Sequence, residues 1–279
     1  MDRKAVAKET VNIMESGCYE VDGKKIDIKR DMEKSVHESV LITPEQGENI
    51  LKKYAGACEA PKGKSGGFPL RERIENISSV DAVRILAQEG KKDIAVLNFA
   101  SAKNPGGGFL NGAKAQEESI TASSTLYKTL TAHPEYYENN RAEKSMMYTD
   151  HGIYSPDVLF IRDGSFALMP EPVKASVLTI PAVNMGQVRL KGEDEETAKH
   201  VMYRRMKLVL SIFAEKGAKN LVLGAYGCGV FRNDPVRIAL WWKELLAEGL
   251  GQYFESVFHA VLDHSKNQDC ITAFRQAAE

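Results

Sequence analysis

Apolar residues recur with two different periods along the chain, and from about residue 71 they predict strands that alternate with helices. Short apolar runs predict six strands, at 73–77, 94–99, 158–162, 177–181, 220–224 and 256–262. Helical spacing predicts five helices, at 81–89, 116–132, 193–216, 235–248 and 268–278. Alternation of this kind is typical of an α/β fold, in which a mostly parallel or mixed sheet is covered on both faces.

Residues 1–70 carry a different pattern. Helical spacing extends over 4–16, and Asp22-Gly23 between two short strand-like segments predicts a β-hairpin. Another helix is predicted after Thr43, with Pro44 at its first position, and 62–69 is typical of a loop. We expect residues 1–70 to form an accessory segment packed on a main domain of residues 71–279.

Composition and charge exclude several classes of protein. Of the 279 residues, 43% are hydrophobic and 27% are charged, as in ordinary globular proteins. The formal net charge of −1 gives no indication of a basic nucleic-acid-binding domain. No run approaches the roughly 20 apolar residues of a membrane helix, and the first residues lack the apolar core of a signal peptide. We therefore expect a cytoplasmic protein that binds neither membranes nor specific nucleic-acid sequences.

The cysteines and histidines follow no metal-binding pattern. The six histidines contain no His-x-x-x-His spacing, and the cysteines contain no C-x-x-C pair. The cysteines are widely spaced, at Cys18, Cys58, Cys228 and Cys270. This spacing argues against a zinc site or a disulfide framework, so we expect no metal.

A glycine-rich loop after the strand at 94–99 is the first candidate for chemistry. Three residues without a β-carbon lie there, Gly106, Gly107 and Gly108. A ligand can approach such a backbone closely and accept hydrogen bonds from its amides. Three polar residues then open the next helix, Gln116, Glu117 and Glu118. Neighbouring helical side chains point about 100° apart, so one carboxylate can face a reacting carbon while the other binds a hydroxyl or holds the first.

A second glycine-rich loop follows the strand at 220–224 and precedes a helix that Asp234 can cap. Three glycines within six residues present backbone N–H groups and a helix N-terminus to an anion. The Gly-Lys-Ser/Thr ending of a P-loop is absent, and the glycine spacing differs from the dinucleotide fingerprint. The loop by itself leaves phosphate binding and a plain tight turn both open.

The two loops together resemble a known family. Gly106–Gly108, seven further residues and Gln116–Glu118 resemble the signature of poly(ADP-ribose) glycohydrolases, and 98–105 resembles the bacterial-type branch of that family. Shorter similarities occur at 160–164 and 179–184. The resemblance implies a three-layer α/β/α macrodomain-like mixed sheet with a mainly helical N-terminal accessory segment.

The resemblance also implies a reaction, the hydrolysis of ribose–ribose O-glycosidic bonds with release of ADP-ribose and without a cofactor. Glu118 would act first as general acid and then as general base, Glu117 would hold a ribose hydroxyl, and Asn104 would bind the reacting ribose. The glycine triplet and Gln116 would also face the substrate. The second loop would bind the diphosphate through Gly227, Cys228, Gly229 and Val230. Phe231 would then hold the distal ribose toward Glu118.

Three alternatives remain open at the level of sequence. The chain could hydrolyse mono-ADP-ribosyl protein, it could be a non-catalytic ADP-ribose reader, or it could be a nucleotide-dependent interaction module. A reader would need the glycine loops but not both glutamates. The partners implied by the resemblance are ADP-ribose, its polymer and ADP-ribosylated proteins, and we expect a monomer.

Several other residues favour structural interpretations. His151 is typical of a surface or capping histidine, and Asp263-His264 at a strand end is a weak candidate for a cleft pair. Cys228 at a helix start could be a reactive thiol, but no partner histidine can be named. Trp241-Trp242 favours core packing, whereas Tyr136-Tyr137 could alternatively offer a stacking surface for adenine.

Overall fold

A seven-stranded mixed sheet organises the chain, and the structure, a computed structural model, describes residues 1–56 and 70–279. The strands of the described residues are β1 (Cys18–Val21), β2 (Lys24–Asp27), β3 (Val40–Ile42), β4 (Arg71–Glu75), β5 (Ile94–Phe99), β6 (Gly152–Arg162), β7 (Leu168–Ile180), β8 (Asn220–Leu223) and β9 (Ser256–Ala260). The large sheet has the order β3-β6-β7-β5-β8-β9-β4, and β1 and β2 form a separate hairpin.

Helices cover this sheet and form most of the N-terminal segment. In the described residues they are α1 (Arg3–Ser16), α2 (Lys29–Glu38), α3 (Pro44–Ala55), α4 (Ser79–Gln88), α5 (Gln116–Ser123), α6 (Leu126–Thr131), α7 (Pro134–Ala142), α8 (Met185–Lys191), α9 (Glu195–Glu215), α10 (Pro235–Ala247) and α11 (Asp269–Ala278). None of these helices combines the length and the apolarity needed to cross a membrane.

The sheet is parallel from β7 to β4 and antiparallel at its other edge. The strands β7, β5, β8, β9 and β4 run in one direction, whereas β6 pairs antiparallel with β7 and β3 pairs antiparallel with β6. The mixed sheet predicted from the sequence is therefore confirmed. Because β5 and β8 are parallel neighbours, the loops that follow them emerge at the same edge of the sheet, where ligands of open α/β sheets bind.

Alternate residues of β5 enter two different cores. Ala95 and Leu97 lie in the cluster formed with α3 and α8–α11, whereas Ile94 and Val96 lie in the cluster formed with α4–α7. Successive side chains of a strand point to opposite faces, so helices on both faces are required to bury them. Helices therefore cover both faces of the sheet, as the apolar pattern predicted.

The N-terminal segment joins the rest of the chain at several points. Ile13 and Met32 pack with Leu159 and Ile161 of β6, and β3 extends the large sheet. The hairpin predicted around Asp22-Gly23 and the helix capped by Thr43 are both confirmed. The loop predicted at 62–69 lies outside the described residues, and a domain boundary near residue 70 stays a prediction.

One predicted helix is wrong, because 116–132 is divided into α5 and α6. Ser124 has an extended backbone and forms a β-bridge with Phe160, while the Thr125 N–H donates to the Leu159 carbonyl at 3.0 Å. Pairing with β6 thus replaces helical hydrogen bonds at these two residues. Pro134 opens α7 at its first turn, where a missing N–H costs nothing.

The sequence also missed or shortened some elements. The helices α2, α7 and α8 and the strand β3 were not predicted, and β6 and β7 are 11 and 13 residues long instead of five. Bulges interrupt the pairing of β6 with β7. Because a bulge breaks the alternation of inward and outward residues, the apolar pattern shows only part of each strand.

Candidate active site

The glycine triplet folds directly against the two glutamates. Gly106 and Gly107 have φ values of +66° and +60°, a region that residues with a β-carbon rarely adopt. A β-carbon on Gly107 would lie 2.5 Å from Glu118 Oε1 and 2.9 Å from Glu117 Oε2. Glycine at residue 107 is therefore required both by the backbone conformation and by the two carboxylates beside it.

Glu118 is held by the backbone but still reaches solvent. Its Oε1 accepts from the Gly108 N–H at 2.9 Å, and its Oε2 accepts from the Ala115 N–H at 3.1 Å. The side chain is only partly buried. A carboxylate with a fixed orientation and an accessible edge has the features that a general acid or base requires.

Glu117 occupies a very different environment, at 3% exposure. Its Oε2 accepts from the Ser101 N–H at 2.7 Å, and its Oε1 accepts from the Asn98 amide at 3.2 Å. Burial raises its pKa to about 8 against these hydrogen bonds, and the charge of Glu118 adds to the increase. Glu117 fixes the loop to the end of β5, and its contact with a ribose hydroxyl stays a prediction.

Gln116 connects the start of α5 to β5. Its Oε1 accepts from the Phe99 N–H at 2.8 Å, while its Nε2 donates to the Leu97 carbonyl at 2.8 Å and to Ser79 Oγ at 3.1 Å. Both ends of the amide are therefore engaged within the protein. Asn104, by contrast, is exposed on the loop, and its carbonyl accepts from the Gly107 N–H at 3.0 Å.

The second loop, after β8, is fixed by equally close contacts. Gly227 has a φ of +74°, and a β-carbon there would lie 2.6 Å from the Asn233 amide nitrogen. That amide donates to the Gly227 carbonyl at 3.0 Å and to the Val183 carbonyl at 2.8 Å. Gly229 and Val230 lie beyond this anchored base, and Val230 is exposed. The loop thus has a rigid base and an open backbone tip, which suits anion binding.

The two loops lie beside each other. A β-carbon on Gly224 would lie 3.3 Å from Phe99 Cζ, and the rings of Phe99 and Tyr226 are 5.6 Å apart. Phe231, at the far end of the second loop, packs with its ring centroid 6.0 Å from that of Tyr148. The structure therefore brings the predicted carboxylates and the predicted phosphate loop to one edge of the sheet.

Cys228 is an unsuitable nucleophile. Its thiol forms a hydrogen bond with Cys270, which together with burial raises the pKa of Cys228 well above its ordinary value. A protonated thiol is a weak nucleophile. The thiol interpretation of Cys228 is therefore not supported.

The weaker sequence candidates have structural roles. Asp263 accepts from the backbone N–H groups of Ser265 and Cys270 and fixes the approach to α11. His151 bonds through Nδ1 to Thr149 Oγ1 at 2.9 Å. The two tyrosines 136 and 137 are fully buried, so they offer no surface for adenine, and tryptophan 242 lies in the core.

Sequence reasoning missed two residues that shape the second loop's surroundings. Arg205 is 1% exposed and donates to Asp150 Oδ1 at 2.9 Å and to the carbonyls of Pro181 and Tyr148. It thereby fixes Tyr148 beside Phe231. Arg205 lies on the apolar face of the helix predicted at 193–216, and a charged residue there could have indicated a buried ion pair. Nothing in the sequence pointed to Tyr148.

Among residues 1–56 and 70–279, no group of three or more His, Cys, Asp or Glu side chains is arranged to hold a metal ion. The residues that the site brings together are carboxylates, glycines and aromatic rings. They can orient a sugar and a diphosphate and can transfer a proton.

Comparison with known proteins gives the same family as the site. The sequence profile of the microbial-type PARG catalytic domain matches residues 7–163. The crystal structure of poly(ADP-ribose) glycohydrolase (PARG) from Thermomonospora curvata is 35% identical, with a TM-score of 0.92 over 99% of this chain and 98% of that one. The chain belongs to the microbial-type PARG family. It is thus a poly(ADP-ribose) glycohydrolase by family, and the macrodomain-like fold is confirmed.

Further structures of this family agree. PARG from Deinococcus radiodurans in complex with ADP-ribose is 39% identical, with a TM-score of 0.81 over 94% of this chain and 99% of that one. The Thermomonospora curvata enzyme bound to the inhibitor ADP-HPD is 34% identical, with a TM-score of 0.89 over 98% of each chain. A search of curated protein sequences found no match.

Proposed function

We propose that this glycohydrolase cleaves the ribose–ribose bond of poly(ADP-ribose) with Glu118 as both general acid and general base. The observation that supports the proposal best is the orientation of Glu118 by the Gly108 and Ala115 N–H groups beside an open anion-binding loop. The relatives solved with ADP-ribose and with ADP-HPD support the substrate class.

In the first step, Glu118 donates its proton to the 2′-oxygen of the departing unit as the C1″–O bond breaks. An oxocarbenium-like ribose remains, with the leaving chain carrying the new hydroxyl. In the second step, the ionised Glu118 takes a proton from water as that water attacks C1″, and the carboxyl group is restored. One carboxylate thus serves both steps in succession.

The second loop supplies the binding energy that orients this step. The backbone from Gly227 to Val230 surrounds the diphosphate, and Phe231 packs on the distal ribose and directs it toward Glu118. Support comes from the anchored base of the loop, where Asn233 holds the Gly227 carbonyl, and from the proximity of the loop to the end of β5. Precise positioning of this kind can lower a barrier by about 7 kcal/mol or more.

The buried Glu117 affects substrate binding through its charge state. Because its pKa is raised to about 8, the neutral form prevails at neutral pH. A neutral Glu117 removes one negative charge from the neighbourhood of a substrate that carries two phosphates per unit. We also assign Asn104, Gln116 and the glycine triplet to the substrate, and Glu117 to a ribose hydroxyl.

We further propose the source of the polymer, the oligomeric state, the location and the domain organisation. ADP-ribosylated proteins are the proposed source of the polymer, the enzyme acts as a monomer in the cytoplasm, and residues 1–70 are an accessory segment of a catalytic domain that spans 71–279. The reaction uses no cofactor, because the acid and base chemistry needs only a carboxylate and water.

The test compares release of ADP-ribose from purified polymer by the wild type and by Glu118→Gln. We expect loss of release by several orders of magnitude in the variant, with ADP-ribose affinity retained. Release by the variant at the wild-type rate would contradict the role of Glu118. Wild-type turnover of mono-ADP-ribosylated protein without turnover of polymer would instead favour the other linkage, and binding without turnover of either would favour a reader.

A further inference from the structure

The first residues of α1 pack directly on the loop that carries the glycine triplet. Gly112 has a φ of +78°, and a β-carbon there would lie 3.1 Å from Lys4 Cγ and 3.3 Å from Arg3 Cβ. Arg3 Nη1 donates to Ser119 Oγ at 3.1 Å, and the guanidinium lies 4.1 Å from the centre of the Phe166 ring. These contacts fix the start of α1 beside α5, the helix that carries Glu118.

Three positively charged side chains, Arg3, Lys4 and Lys114, lie in or beside this junction. Lys4 and Lys114 are exposed, and neither forms an ion pair with any residue in the described part of the chain. The nearby Asp2 is engaged as the helix cap, where its Oδ1 accepts from the Lys4 and Ala5 N–H groups. The Arg3 guanidinium also interacts electrostatically with Glu118.

The chemistry of the substrate gives this charge a partner. The proposed function assigns the diphosphate of the terminal unit to the loop after β8. The departing unit is joined through its 2′-oxygen and carries its own diphosphate on the 5′-oxygen of the same ribose. A second pair of negative charges must therefore leave the site close to the scissile oxygen.

We propose that the polymer beyond the scissile bond crosses the start of α1, where Lys4 and Lys114 bind the diphosphate of the second ADP-ribose unit. This inference rests on the proposed function, since it requires the terminal unit to lie between Glu118 and the second loop. It gives the N-terminal segment a direct role in selecting polymer over free ADP-ribose. Lys4 is suited to this role because Arg3 holds its backbone in place.

The experiment measures affinity for purified polymer and for free ADP-ribose in the Glu118→Gln protein, with and without Lys4→Glu plus Lys114→Glu. We expect polymer affinity to fall about tenfold and the slope of log affinity against log salt to decrease by about 1 to 2. Affinity for free ADP-ribose should stay the same. A glutamate near the start of a helix is compatible with the helix dipole, so α1 remains folded.

Lys24→Glu plus Lys25→Glu is the matched control, because it makes the same two charge reversals on the exposed hairpin that follows the far end of α1. The 14 residues of α1 separate the two places by roughly 20 Å. Equal polymer affinity in the control and in the Lys4→Glu plus Lys114→Glu protein would overturn the proposal. Equal loss of polymer and ADP-ribose affinity would also overturn it, since the lysines would then bind the terminal unit. Turnover by Glu118→Gln alone would refute the proposed function but not the polymer contact.

Discussion

Gly107 and Glu118 are in such close contact that a single methyl group at residue 107 would lie 2.5 Å from the Glu118 carboxylate oxygen. The relationship couples the glycine loop to the proposed acid and base. Any side chain at residue 107 must displace either the loop or the carboxylate. The glycine is therefore a determinant of carboxylate position as well as of backbone shape.

Gly107→Ala should lower kcat/KM for polymer by at least about 100-fold, because a shift of about 1 Å in a catalytic group has effects of that size. Gly90→Ala is the matched control. Gly90 has a similar φ of +75°, but a β-carbon there would extend into open space. Both variants carry the same backbone strain of roughly 1–2 kcal/mol, and only Gly107→Ala adds the contact with the carboxylates, so Gly90→Ala should keep the wild-type kcat/KM. An active Gly107→Ala protein would show that the contact does not govern catalysis.

The raised pKa of Glu117 makes stability depend on pH. The folded pKa of about 8 lies above the ordinary value of 4.5, so the folded state retains a proton that the unfolded chain releases. The stabilisation is complete below pH 4.5 and is lost as pH rises through about 8, with a slope of at most about 1.4 kcal/mol per pH unit.

Glu117→Gln should remove this dependence because its side chain does not titrate. Urea unfolding between pH 5 and pH 8.5 measures the difference. The free energy of unfolding of the wild type should fall relative to that of the variant as pH increases. Two parallel curves would mean that Glu117 is ionised throughout this range in the folded protein.

Gln116→Ala should destabilise the fold by about 1–3 kcal/mol, because the Phe99 N–H and the Leu97 carbonyl lose their partner at the end of β5. Ser79→Ala is the control, since it removes only the third contact of the same amide. Chemical denaturation of both variants measures the difference. A smaller effect of Gln116→Ala than of Ser79→Ala would contradict the proposed connection.

Phe231→Ala should weaken ADP-ribose binding by about tenfold through loss of aromatic packing on the ribose. Calorimetric titration with ADP-ribose is the measurement. Leu190→Ala provides the comparison, because Leu190 is 77% exposed on the neighbouring α8. Equal affinities for the two variants would place Phe231 outside the binding site.

The sequence was most informative where the structure is local. The glycine triplet, Glu117 and Glu118 all lie between β5 and the first turn of α5, so their spacing along the chain largely determines their spacing in the fold. The alternation of β5 between two cores likewise follows from its own residues. These features could be predicted because they depend on neighbours in the sequence.

Features that depend on distant residues could not be predicted in this way. The break after α5 requires pairing of Ser124 with Phe160, and the position of Tyr148 requires Arg205 from α9. The contact of Arg3 with Ser119 joins residues that no periodic pattern relates. In each case the determining partner becomes visible only once the sheet has brought the segments together.

The two glycine loops are far apart along the chain, and this separation affects the order in which the parts of the active site form during folding. The carboxylate half of the site forms from contiguous residues, whereas the proposed anion-binding half requires β8 to pair with β5 after a long loop is closed. Closing long loops is slow compared with forming helices. During refolding, recovery of helical signal should therefore precede recovery of turnover, and enzymatic activity becomes a selective reporter of the last long-range pairing.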